Sequence, residues 1–80
     1  MRPPAIVEKR LGRERAAGQH EPGTRHIEID PRQSSHDRMD TVIHETLHYC
    51  FPSMPEKTVA STANAISAAL WNDRYRRIER

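Results

Sequence analysis

The spacing of the apolar residues changes at Pro31, and this change divides the chain into two kinds of structure. Before it, Ile27 and Ile29 alternate with polar residues in the segment RHIEID, residues 25–30. An alternation with a period of two is typical of a half-buried strand. Pro31 has no N–H to donate to a neighbouring strand and therefore ends this one. Beyond Pro31 the apolar residues recur at helical spacing, so the sequence predicts strands followed by helices.

Two weaker strands and a turn are predicted ahead of RHIEID. Segments 5–11 and 12–21 are short, charged and interrupted by glycine, which is typical of weak strands. EPGT, residues 21–24, predicts a turn, because proline presets φ and glycine tolerates a positive φ. Residues 1–4 are expected to be frayed.

Two helices are predicted after Pro31. Ser34 or Ser35 can cap the first, which ends at FPSMP, residues 51–55. Residues at the i, i+3, i+4, i+7 spacing of that helix are Met39, Val42, Ile43, Thr46, Leu47 and Cys50. The second begins near Met54, with no helix breaker from 56 to 80. The expected fold is a single α+β domain over residues 1–80, a small antiparallel sheet of two to three strands followed by a two-helix hairpin.

The small size of the chain makes a metal useful for stability. A domain of 80 residues has a core that rarely supplies more than roughly 3–5 kcal/mol of net stability. Cys50 is the single cysteine, so no disulfide can form within the monomer. A metal ion or self-association remains as a source of added stability, although the sequence leaves the oligomeric state open.

The distribution of charge and of apolar residues limits the kinds of partner that the chain is expected to bind. Residues 26–50 carry five acids against two arginines, whereas both flanking segments are basic. An acidic centre suits a cation site and argues against nucleic-acid binding. No apolar stretch approaches the roughly 18 residues of a membrane span, and the N-terminus lacks the apolar run of a secretory signal. With its lone cysteine, the chain fits a cytoplasmic setting and no membrane partner.

The segment TVIHETLHYC, residues 41–50, carries the chemistry. On a helix, His44 and His48 project side by side, which is the spacing of two zinc ligands. Glu45 lies between them around the helix axis, where a carboxylate can take a proton from a zinc-activated water. The simpler interpretation is a solvated helix face. Against it, chance gives roughly 0.03 such patterns in a chain of this composition, and the core residues of the helix are predicted on another face.

Residues 25–71 resemble the small zincin-like metallopeptidases of bacteria and their phages, close to the minimal gluzincin core. The resemblance covers the strand and both helices; residues 1–24 match only loosely, as leading strands. It implies that His44 and His48 bind Zn²⁺, that Glu45 is the general base, and that a glutamate on the next helix is the third ligand. The resemblance also implies a peptide or protein substrate that lies antiparallel to an edge strand. In this sequence the edge strand corresponds to residues 25–30.

The third ligand is where the chain departs from the longer gluzincins, because positions 57–72 contain no carboxylate. Asp73 lies about 25 Å beyond Glu56 at the helical rise, too far from the hairpin turn. Glu56 lies just across the loop and is the candidate. The alternatives are a capping box in SMPE, with Glu56 accepting from the Ser53 N–H, or a solvated side chain. His36 is the reserve ligand.

Other candidates are assigned structural roles. Cys50 points away from His48 and is expected to pack in the core. Tyr49 and Tyr75 carry hydroxyls that can stabilise an oxyanion, but each is expected to be a packing or surface residue. His20 and His26 are expected to be ordinary strand residues.

Three functions compete at this point. The leading one is a minimal zinc metallopeptidase of the HExxH type, a hydrolase with Glu45 as its base. The first alternative is a non-catalytic binding module that zinc staples together, which would not require a carboxylate at Glu45. The second is a basic nucleic-acid binder, which the acidic centre and sparse aromatic residues disfavour.

Overall fold

A computed structural model describes residues 1–11, 17–21 and 23–78. The elements are β1 (Ala5–Glu8), β2 (Gly18–His20), β3 (His26–Ile29), α1 (Ser35–Cys50) and α2 (Glu56–Asn72). The predicted α+β class, with strands before helices, is confirmed. The strand predicted over 5–11 is shorter than expected and ends at Glu8. Of the strand predicted over 12–21, β2 is the described part, and residues 12–16 lie outside the described residues.

The sheet is mixed, with the strand order β1-β3-β2. β2 pairs antiparallel with β3, the next strand in the chain, but β1 pairs parallel with β3. The prediction of a wholly antiparallel sheet is therefore wrong for β1. The physical reason is that β2, the neighbour of β3 in sequence, forms a hairpin with it and occupies one side of β3. β1 is left with the other side, where it pairs in the parallel direction.

β3 is the central strand, so the prediction that residues 25–30 form an edge strand is also wrong. It bonds to β1 on one side and to β2 on the other. The side chains of Ile27 and Ile29 have no solvent exposure. The centre of the sheet buries these apolar side chains most completely, which favours this position for β3. The substrate strand implied by the family resemblance cannot pair with β3.

Asp30 secures the chain where β3 ends. Its carboxylate accepts hydrogen bonds from the backbone N–H of Leu11 at 3.0 Å and of Arg32 at 2.9 Å. The Arg32 guanidinium binds both oxygens, with a contact of 2.6 Å from Nη2 to Oδ2. These bonds hold the pKa of the Asp30 carboxyl well below its usual range. The loop before α1 is thereby fixed to the segment that follows β1.

Of the two predicted caps, Ser34 caps α1, since its hydroxyl accepts from the Asp37 N–H, and Ser35 is the first helical residue. Its burial differs from the prediction. Glu45 is the buried residue of this fully described helix, whereas Met39, Ile43 and the rest of the apolar stripe are half-buried. The prediction that the motif lies wholly off the packed face is wrong for Glu45. α1 lies between the sheet and α2, so two of its sides are covered.

α2 packs on α1 through Val59, Ala63 and Ser67, and the Ser67 hydroxyl donates to Asp40 at 3.0 Å. The helix ends at Asn72, so the prediction of a helix without a break to residue 80 is wrong. Arg74 adopts a left-handed φ of 66°, which turns the chain out of the helix. The N–H groups that close this Schellman-type end donate to the carbonyls of Leu70 and Trp71.

The apolar core of the described residues is small. It consists of Leu11, Ile27, Ile29, Val59 and Ala63. Such a core leaves little stability in reserve, as expected for a domain of this length. Among the described residues, neither helix has the length and apolar character that crossing a bilayer requires.

Candidate metal centre

Three ligand-type side chains meet where α1 and α2 are joined. His44 and His48 lie one helical turn apart on α1, and Glu56 is the first residue of α2. The turn at residues 51–55 carries Glu56 back over the two imidazoles. Glu56 Oε1 lies 2.8 Å from His44 Nε2, and its Oε2 lies 2.8 Å from His48 Nε2. One carboxylate thus contacts both histidines.

The spacing of these atoms fits a zinc ion. Ligand atoms about 2.0–2.1 Å from a tetrahedral zinc lie roughly 3.3 Å from one another. The Nε2 atoms of His44 and His48 are 3.2 Å apart, and each is slightly closer than that to a carboxylate oxygen of Glu56. Two imidazole nitrogens and one carboxylate are also a donor set that zinc accepts. The three residues therefore fit a zinc site with three protein ligands.

More than one occupant accounts for these contacts. The Nε2–H groups of His44 and His48 can each donate to one oxygen of Glu56, and a cation bound by all three side chains would bring the same atoms together.

The centre is accessible on one side. The side chains of His44 and His48 are 23% and 26% exposed, and that of Glu56 is 66% exposed. A structural zinc site is closed by four protein ligands, whereas a catalytic one keeps a position for water or substrate. Three ligands with this exposure leave such a position open.

Glu45 lies beside the histidines but does not join the cluster. Its relative exposure is 9%, and the described residues give its carboxylate no hydrogen-bond donor. Burial raises the pKa of the Glu45 carboxyl, while the charges of His44 and His48 act in the opposite direction. A carboxylate that is mostly buried, borders the cleft and has no protein donor among the described residues is suited to exchange a proton with a molecule in the site.

An open cleft of about 790 Å³ runs along the side of α1 that carries Glu45. Its walls come from β2, from the turn that follows it and from the second half of α1. The lining residues that matter here are Gly18, His20, Arg25, Glu45, His48 and Tyr49. The candidate base and one candidate ligand therefore open into a cleft with room for a peptide segment.

Gly18 allows β2 to approach α1 closely. A Cβ atom at this position would lie 2.5 Å from Thr41 Cγ2 and 3.0 Å from Ile29 Cδ1. A larger side chain at position 18 would require the Thr41 and Ile29 side chains, or β2 itself, to move. Glycine therefore allows β2, which lines the cleft, to pack closely on α1.

Glu56 contacts the histidines and does not act as a cap. The N-cap of α2 is Pro55, and no side chain caps that end of the helix. The structure thus places Glu56 as the ligand hypothesis requires and excludes the capping box with Ser53.

His36, the reserve candidate, lies elsewhere: its ring stacks on Trp71 with centroids 4.5 Å apart. Cys50 is half-buried and lies outside the cluster.

The sequence reasoning missed the contribution of β2 to the site. His20, expected to be an ordinary strand residue, lines the cleft, and its ring meets Tyr49 edge-on at 5.6 Å. The Tyr49 hydroxyl donates to the carbonyl of Arg2 at 2.9 Å, which ties the N-terminal segment to this wall. The signal for β2 was weak because the strand has three residues and no apolar alternation.

Comparisons of the chain with protein-family models, with curated proteins and with solved structures found no match. The functional conclusion therefore depends on the geometry of the cluster and its cleft.

Proposed function

We propose that this chain is a zinc-dependent metallopeptidase in which His44, His48 and Glu56 hold the metal and Glu45 is the general base. The observation that carries the proposal is the meeting of two imidazole nitrogens with the two oxygens of one carboxylate, at separations of 2.8–3.2 Å, beside the buried Glu45 and its open cleft. A closed structural site would need neither the carboxylate nor the cleft.

The proposed chemistry assigns Glu45 the movement of the proton. Zinc, when bound, supplies a Lewis acid that acidifies water and polarises a carbonyl group. Glu45 takes the proton of the attacking water and then gives it to the leaving amine. A raised pKa suits both roles, because the carboxyl must gain the proton in one step and release it in the next.

The proposed substrate is a peptide or protein segment that lies in the open cleft. Residues of β2 and of the second half of α1 line this cleft, and Glu45 and His48 are among them. A peptide bond held there would lie beside the proposed base and one of the proposed ligands.

A second candidate function is a binding module that zinc staples together without catalysis. One observation favours it: the ligands come from both helices, in a domain whose described core holds five buried apolar side chains. Metal binding would then stabilise the fold by linking α1 to α2. This candidate gives no role to Glu45.

Glu45→Gln separates the two candidates. The purified chain is loaded with zinc, its metal content is measured, and it is incubated with a mixture of unstructured peptides whose products are identified by mass. We expect one zinc per chain in the parent and in the variant, with cleavage lost in the variant because an amide cannot accept the proton. His44→Ala is the matched control that should lose the metal. Zinc-dependent stability without cleavage by the parent would favour the binding module, and a chain that binds no zinc would overturn both candidates.

A further inference from the structure

A second concave site lies at the opposite end of the helix pair from the metal cluster. It has a volume of about 410 Å³ and lies between the first half of α1, the last turn of α2 and the loop after β3. Its apolar lining consists of Met39, Val42, Ile43, Leu70 and Trp71. None of these residues lines the cleft that contains Glu45. We call this site the α1–α2 groove.

The charged residues of the α1–α2 groove are both cations. Arg38 and Arg77 line it, and no acidic residue does. The carboxylate of Glu8 forms ion pairs with both guanidinium groups. Its Oε1 lies 3.2 Å from Arg38 Nη2 and also accepts a hydrogen bond from Arg77 Nη1. Two positive charges against one negative charge leave a net charge of +1 at the groove. A ligand with one negative charge balances it.

Arg38 also has an unused donor. Its Nε is buried and has no hydrogen-bond acceptor in the described structure. A buried donor without an acceptor is costly, so such groups are normally paired with protein, water or a bound group. The Arg38 side chain is 21% exposed, so the part of its guanidinium that faces the groove can still bind a carboxylate, whose two oxygens match the planar group.

Trp71 is held in a fixed position in the groove wall. His36 stacks on one face of its ring system, and the Arg76 guanidinium lies 3.4 Å from the ring centroid. The Arg76 side chain also donates to the Trp71 carbonyl at 2.7 Å. A ring fixed in this way gives the groove a rigid apolar wall, and as the single tryptophan it also reports on the groove by fluorescence.

We infer that the α1–α2 groove binds a small carboxylate with an apolar body, the carboxylate at Arg38 and the apolar body against Met39, Ile43 and Trp71. The volume is within the range of small-molecule sites, and an apolar lining with a few polar groups is the usual composition of such sites. The inference does not depend on the proposed peptidase activity, because the groove shares no residue with the metal cluster.

Octanoate is a suitable probe, with octanamide as the neutral control and acetate as the control without an apolar body. Binding is measured by Trp71 fluorescence and by backbone amide NMR shifts. We expect saturable octanoate binding with shifts at residues 38–43 and 70–71, and affinities for octanamide and acetate at least about tenfold weaker. Arg38→Gln should weaken octanoate binding by about tenfold and leave octanamide binding unchanged. Arg2→Gln, which removes an arginine far from the groove, should bind like the parent.

A second variant distinguishes a loss of octanoate binding from a loss of folding. Val42→Phe fills the groove and keeps both arginines, so it should lose octanoate binding while its amide NMR spectrum remains that of a folded chain. The inference is overturned if octanoate causes no saturable change, if octanamide binds equally well, or if the shifts occur at residues 44–48 and 56. The last result would place the carboxylate at the metal cluster.

Discussion

Glu56 Oε1 lies 2.8 Å from Nε2 of His44, a contact that joins the first turn of one helix to the middle of the other. The same carboxylate reaches His48 through its second oxygen. A side chain that bridges two imidazoles in this way connects the helices at the point where a metal would bind. Under the proposed function, metal affinity should therefore depend directly on one residue of α2.

Replacing Glu56 by Gln should weaken zinc binding by about tenfold or more, because an amide is a poorer zinc ligand than a carboxylate. Affinity is measured by competition with a chelator of known strength. Ser53→Ala is the matched control, because Ser53 would matter only if Glu56 were a cap. Equal zinc affinity in Glu56→Gln and the parent would mean that the third ligand is another group.

Glu45 should make the metal-free protein less stable as the pH rises. Its pKa is raised in the fold by burial, so the folded chain holds the proton more tightly than the unfolded chain does. This contribution to stability is complete below about pH 4.3, the ordinary glutamate pKa, and is lost as the pH rises through the raised value. Glu45→Gln should therefore gain stability relative to the parent between pH 4 and pH 8.

Urea unfolding in the presence of excess chelator measures this difference. Glu21→Gln removes an exposed carboxylate and controls for the change in net charge. A stability difference between Glu45→Gln and the parent that stays constant with pH would contradict the prediction.

Asp30 should have the opposite dependence on pH. Its pKa is lowered in the fold by the Arg32 guanidinium and by backbone N–H donors. Its contribution to stability is therefore present above the ordinary aspartate pKa of about 3.9 and is lost as the pH falls below it. We expect the parent to lose stability on acidification more steeply than Asp30→Asn, as measured by thermal unfolding at a series of pH values. Asp73→Asn, at the exposed end of α2, should follow the parent.

Gly18→Ala should destabilise the fold by about 1–3 kcal/mol, the usual range for overpacking. The new methyl group would lie 2.5 Å from Thr41 Cγ2, so the Thr41 side chain, β2 or α1 must move. Thr41→Ser removes that methyl group and keeps the hydroxyl that donates to Gln33 and to the Asp37 carbonyl. The double variant should recover part of the lost stability in urea unfolding. If it recovers none, the strain arises at Ile29 or at the backbone of β3.

The parts of the fold that depend on local pattern were predictable from the sequence. The alternation of Ile27 and Ile29 identified β3, and Ser34 identified the start of α1. The spacing of His44 and His48 placed both on one side of that helix, and elimination among the acids identified Glu56 as the candidate partner. These signals lie within a few residues of the features they predict.

The parts that depend on tertiary arrangement were not predictable. The parallel pairing of β1 with β3 is decided by which strand occupies each side of β3, and no residue of β1 encodes it. The burial of Glu45 follows from α1 having the sheet on one side and α2 on the other. Arg74 ends α2 in a left-handed conformation where glycine is the usual residue, so the sequence carried no stop signal there.

The three residues of the metal cluster lie within thirteen consecutive positions, 44–56. Closing a loop this short requires little chain entropy, and contacts between near neighbours in sequence form early in folding. The parallel pairing of β1 with β3, by contrast, joins segments about twenty residues apart. If the cluster binds a metal as proposed, we expect the helical hairpin to assemble around the ion before the sheet is complete, so that metal uptake would set the order of folding as well as its outcome.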